Sequence, residues 1–151
     1  MSQHDHEIKV LNGLIETTID SVDGYAEAAK DAENPQFRDL FLTRAAERRQ
    51  IAARLREAVR REGGDPADDG TVLASAHRVF TGLRSSMSHG DKAVVDEVER
   101  GEDHIKAKFE DALKDTDLSP ATMTAIETAY GSVRAGHDEM RDLKHSLEGT
   151  N

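Results

Sequence analysis

Four residues, Glu47, Glu99, Glu102 and His137, are carboxylate or imidazole side chains near the middle of helical stretches, and Glu47, Glu102 and His137 interrupt stripes that are otherwise apolar. Asp20 belongs to an acidic ridge at the same level, formed with Glu16, Asp23 and Glu27 at spacings of four, three and four. Side chains of these types, projecting from facing helices, are how bundles hold di-iron or di-manganese centres. Carboxylates buried together repel and lose hydration, so they require protons, cations or basic side chains. Asp103, beside Glu102, adds a further acid. The ridge taken alone reads as a solvated helix face.

Arginine supplies the competing chemistry. Arg44, Arg48, Arg100 and Arg134 fall at the same level, and their guanidinium groups would pair with the carboxylates in a metal-free ionic layer that also fixes helix register. The Glu-x-x-His signature of di-iron bundles is missing. Glu47 is followed three residues later by Gln50, Glu99 by Glu102, and Glu139 by Asp142. The remaining histidines carry less. His4 and His6 sit near a terminus that should fray, His77 reads as a packing residue, His89 is in a loop, and His104 and His145 fall off the stripes. Tyr25 and Tyr130 read as core residues with a hydrogen-bonded hydroxyl. There is no phosphate-binding glycine loop and no Gly-x-Ser-x-Gly elbow.

The elements that must position these residues are helices. Ile8, Leu11, Ile15, Val22 and Tyr25 place one stripe on a helix from His4 to Ala32. Asn34-Pro35 is a cap followed by a proline at the first helical position, and it opens a second helix running to about Glu62. Gly63-Gly64 ends that helix, and Asp65 to Gly70 has loop chemistry. A shorter helix is predicted from Thr71 to about Met87, interrupted by Ser88-His89-Gly90. Asp91 is the expected cap of a helix from Lys92 to about Lys114, and Ser119-Pro120 opens the last. The tight connections make two antiparallel hairpins. The short helix, long enough to travel the length of a bundle, is expected to make the crossover between them, in preference to a plain up-down bundle whose third helix is kinked near Gly90. The expected fold is therefore all-α: a ferritin-like four-helix bundle, one domain over residues 1–151.

Composition narrows the partners. Thirty acids against twenty Lys and Arg leave a formal charge of −10, which opposes binding to nucleic acid or an anionic membrane. No apolar run approaches a transmembrane length and no secretory leader opens the chain. Cysteine is absent, which excludes disulfides and thiolate chemistry. A cytoplasmic protein is expected, with a homodimer as the default assembly.

Several words of the sequence carry a resemblance: Gly24-Tyr25-Ala26-Glu27-Ala28-Ala29, Phe41 to Arg48, Gly63-Gly64-Asp65-Pro66, Ala76-His77-Arg78, Glu99-Arg100-Gly101-Glu102-Asp103 and His137-Asp138. Together they resemble a bacterial family catalogued as a domain of unknown function, number 2383, over nearly the whole chain. The resemblance implies a ferritin-like bundle, often encoded by bacteria with stress-related or environmental lifestyles. It brings no assigned reaction. The wider ferritin-like group implies iron or manganese, and this chain departs from that group by lacking both Glu-x-x-His motifs. Two functional readings stand. The first is a non-enzymatic helical module, stress-related or partner-binding, with a polar layer at mid-bundle. The second is a degenerate metal-binding bundle, storing or oxidising iron or manganese, whose ligands would come from Glu47, Glu99, Glu102, His137 and Asp20.

Overall fold

The computed structural model describes residues 3–68 and 90–149. Four helices account for most of them: α1 (Gln3–Asp31), α2 (Pro35–Arg61), α3 (Asp91–Leu113) and α4 (Pro120–Gly149). The expected helix from Thr71 to Met87, with His77 and His89, lies outside the described residues.

The helix ends follow the local chemistry. Asn34 takes an extended backbone, and its side chain accepts the Gln36 amide hydrogen bond at 2.8 Å, with Pro35 beginning α2. At the other end Gly63 adopts φ +85°, the left-handed conformation that costs glycine nothing. The Gly63 amide then donates to the Arg60 carbonyl at 2.9 Å and the Gly64 amide to the Val59 carbonyl at 3.0 Å. This is the Schellman arrangement, and it satisfies carbonyls that α2 would otherwise leave open. Gly64 is also a close approach: a Cβ there would come within 2.7 Å of the Ile8 side chain. Asp91 departs from expectation. Gly90 is the N-cap of α3, and the Asp91 carboxylate instead accepts hydrogen bonds across the bundle, from the amides of Glu33 at 2.7 Å and Asn34 at 3.0 Å.

These end contacts set the helix order. Gly64 against Ile8, and His4 beside Glu62 at 2.6 Å, put the end of α2 beside the start of α1. Asp91 puts the start of α3 at the opposite end, beside the α1–α2 turn. His6, 2.7 Å from Asp115, returns the end of α3 to the start of α1. The two hairpins, α1–α2 and α3–α4, therefore pack with α1 beside α3 and α2 beside α4. Helices α2 and α3 run in the same direction, and the chain between them must connect opposite ends of the bundle.

Two apolar clusters fill the interior. One holds Leu11, Ile15, Leu55, Phe109, Ile126 and their neighbours. The other holds Tyr25, Phe41, Val95, Met140 and several alanines. Burying each large side chain contributes roughly 1.5–3 kcal/mol, so packing rather than helix propensity holds the helices. The first cluster is sealed at its end by Glu7, almost wholly buried. Its carboxylate accepts from the Ser119 hydroxyl at 2.8 Å, the Ser119 amide at 3.2 Å and the Thr122 hydroxyl, at the positive end of α4.

Burial by itself would raise the Glu7 carboxyl, but the hydrogen bonds from Thr122 and Ser119 outweigh it and hold the group below its ordinary value of 4.5. A depressed acid stabilises the fold above its unfolded pKa, and that contribution disappears as pH falls through the folded value. Urea unfolding followed from pH 7 downwards should therefore show wild type losing stability below about 4.5, and Glu7→Gln losing less over the same window. Equal slopes for the two proteins would remove Glu7 from the account. Asp91→Ala should lower stability by about 1–2 kcal/mol with an unchanged urea m-value, because two backbone amides lose a charged acceptor at a partly solvated site.

Candidate functional site

The two apolar clusters do not meet directly. All four helices turn polar at one level between them. On α1 the break is Thr17, Thr18 and Ser21; on α2 it is Arg44 and Arg48; on α3 it is Glu102; on α4 it is Gly136 and His137. Thr17 and Thr18 satisfy their hydroxyls on their own helix, donating to the Gly13 and Leu14 carbonyls at 3.0 and 2.7 Å.

At the centre of this level is a buried ion pair. Arg48 is 0% exposed and Glu102 is 1% exposed, and an Arg48 terminal nitrogen donates to Glu102 Oε1 at 2.9 Å. The other terminal nitrogen of Arg48 donates to Ser21 Oγ at 2.8 Å. Tyr25 donates its hydroxyl to the second oxygen of Glu102. The guanidinium carbon also stands 5.6 Å from the centre of the Tyr25 ring, in cation–π range. Burial, and then the negative charge of Glu102, push the Tyr25 hydroxyl well above the ordinary phenol range, so it remains a protonated donor.

Space for the arginines comes from Gly136. A Cβ at that position would overlap the Arg48 terminal nitrogen and lie 3.2 Å from Arg44 Cδ. Arg44, also buried, turns its guanidinium outward to Glu47 on its own helix and to Glu139 on α4. The internal pair and the Arg44 fork thus join all four helices.

A second group of ionisable side chains lies between α3 and α4. Glu99, Asp103 and His137 each offer one ligand atom within 4.8 Å of the others. His137 Nε2 is 2.7 Å from Asp103 Oδ1, and its Nδ1 is 3.2 Å from Asp138 Oδ1. A Glu99 oxygen is 3.5 Å from the Lys144 ammonium.

The five residues singled out by spacing therefore separate. Glu99 and His137 come together, with Asp103. Glu102 turns the other way, to Arg48 and Tyr25. Glu47 lies at the flank of the buried face of α2, with its side chain 43% exposed, because Arg44, Ala45, Arg48 and Ile51 occupy the face itself. Asp20 is partly buried on α1. Arg48 is the residue that the apolar stripe left out. It stands seven residues after Phe41 and seven before Leu55, as Glu102 stands between Val95 and Phe109. That heptad spacing was the available signal. Gly101, which adjoins the layer in sequence, faces open space; the close approach is at Gly136.

The chain matches the model of the family described as Domain of unknown function (DUF2383) over residues 6–115. It belongs to that family. The span matched contains Tyr25, Arg48 and Glu102 and ends before α4, so the His137-Asp138 part of the resemblance lies beyond it. No curated protein matches the chain. Among the described residues of this DUF2383 member, no helix is long and apolar enough to cross a membrane.

Gly136→Ala tests the close approach. Alanine normally adds about 1 kcal/mol to a helix interior relative to glycine. Here the added methyl must displace a guanidinium held on both sides, so the expected net effect is a loss of about 1–3 kcal/mol in urea unfolding. Gly101→Ala and Gly131→Ala, where a Cβ meets nothing within 4 Å, should instead leave stability unchanged or raised. A stabilising Gly136→Ala would show that the arginines do not depend on that space.

Proposed function

We propose that this DUF2383 protein is a non-enzymatic helical bundle whose mid-level polar layer is structural, and that its role is exercised from its exterior. One observation carries the reading: the carboxylate at the centre, Glu102, is neutralised by a cation of the chain itself, the guanidinium of Arg48. The helix order, two hairpins connected between opposite ends, supports a ferritin-like ancestry. In such a bundle, iron or manganese would need several acidic ligands at this level. The donors around the buried pair do not suit a metal. One carboxylate faces an arginine and a tyrosine hydroxyl, and a divalent ion beside Arg48 would be repelled. Cytoplasmic location and a homodimer belong to the same proposal, as does a stress-related role.

Two measurements test it. In air, the wild-type chain should oxidise Fe²⁺ no faster than buffer alone. In a double-mutant cycle, Arg48→Met and Glu102→Leu should each cost about 3–5 kcal/mol, because each leaves a buried charge alone. The double variant should cost much less than their sum, since two apolar side chains can share the vacated space. Protein-dependent iron oxidation, or an additive cycle, would overturn the reading.

A further inference from the structure

The cluster between α3 and α4 is distinct from the internal pair. Glu99 and Asp103 are four residues apart on α3, so both face α4, where His137 meets them. The His137 side chain is only 12% exposed and that of Glu99 15%, while that of Asp103 is 58% exposed. Two donors are therefore held in the groove, and the third stands at its mouth, open to solvent. His137 is further fixed from behind by Asp138, whose carboxylate takes up Nδ1 and leaves Nε2 directed at Asp103. A carboxylate behind a ligating imidazole is the usual outer partner of a metal-bound histidine.

We propose that Glu99, Asp103 and His137 bind one divalent first-row transition cation. The donor set, one neutral imidazole and two carboxylates, suits manganese, iron or zinc and leaves further positions for water or a ligand. Donors on one ion at about 2.0–2.2 Å lie within roughly 4.4 Å of one another, so atoms already within 4.8 Å need only small side-chain rotations. Lys144, 3.5 Å from Glu99, balances the acid before the cation enters and opposes its entry. The site shares no residue with the Arg48–Glu102 pair, so it stands independently of the structural reading of the bundle centre. A second grouping of similar composition among the described residues, His6, Asp115 and Asp117, serves as a control. There Asp115 already accepts the Asp117 amide at 2.8 Å and caps its own turn.

The test is calorimetric titration of the full chain with Mn²⁺ and, separately, with Zn²⁺. Wild type should bind one equivalent. His137→Ala and Asp103→Asn should each weaken binding at least tenfold, and His6→Ala should leave it unchanged. Lys144→Gln should tighten it several-fold, because a nearby positive charge is removed. Asp103 is exposed enough that Asp103→Asn keeps the fold even where His137→Ala does not. Absence of saturable binding by wild type overturns the proposal. So does binding that survives both His137→Ala and Asp103→Asn, that is lost in His6→Ala, or that is indifferent to Lys144→Gln.

Discussion

A guanidinium and a carboxylate taken out of water must be matched by their surroundings, and the middle of this protein is arranged around that requirement. Desolvation costs several kcal/mol per ion, and one short ion pair recovers it only when the remaining donors and acceptors also find partners. Ser21 takes the second terminal nitrogen of Arg48, and Tyr25 donates a hydrogen bond to the second oxygen of Glu102, while Arg48 Nε is buried without a hydrogen-bond partner. Gly136 withholds the side chain that would occupy the same space. Ser21 and Tyr25 come from α1, Arg48 from α2, Glu102 from α3 and Gly136 from α4. The pair therefore acts as a register pin: sliding α2 or α3 would leave a charge buried and unanswered, sliding α1 would remove the Ser21 and Tyr25 hydrogen bonds, and sliding α4 would bring a side chain into the space at Gly136.

The apolar clusters on either side depend on that register. Leu, Ile, Val and Ala pack well in many alignments, and a long bundle built from them alone would admit several. The polar level removes the alternatives. Specific contacts at the two ends then complete the specification. Asp91 holds the α1–α2 turn at one end; Glu7 holds the start of α4 at the other. Both are carboxylates receiving backbone amides, which supply hydrogen bonds without bringing a second ion out of water.

This arrangement also separates two jobs that a single polar layer could have combined. The interior carboxylate is committed to Arg48, whereas Glu99 and Asp103 lie in the groove between α3 and α4 beside an imidazole, with only Asp103 open to solvent. The division arises within one helical turn of α3. Glu102 points into the bundle, and Glu99 and Asp103 point toward α4, because residues three and four apart are offset to either side of a helical stripe.

Much of the architecture was legible in the residues alone. The four long helices followed from the 3.6-residue spacing of apolar side chains, and their ends from Asn34-Pro35, Gly63-Gly64 and Ser119-Pro120, all of which act on backbone groups within a few residues of themselves. That polar residues would interrupt the apolar faces at mid-bundle was legible too, since antiparallel hairpins of similar length bring helix centres to one level. Pairing was not. Periodicity assigns a residue to a face only within a residue or so, and Glu47 and Arg48 are neighbours in sequence; α2 had to rotate against its partners before Arg48 became the buried one. A long side chain can also reach either of two neighbouring helices, so spacing could not tell whether Glu102 would join His137 or Arg48. Asp91 illustrates the same limit, since its position suits a local cap but its acceptors serve amides 57 and 58 residues away. Local backbone chemistry is written in consecutive residues; the neutralisation of buried charge depends on which helices meet, and tertiary packing alone decides that.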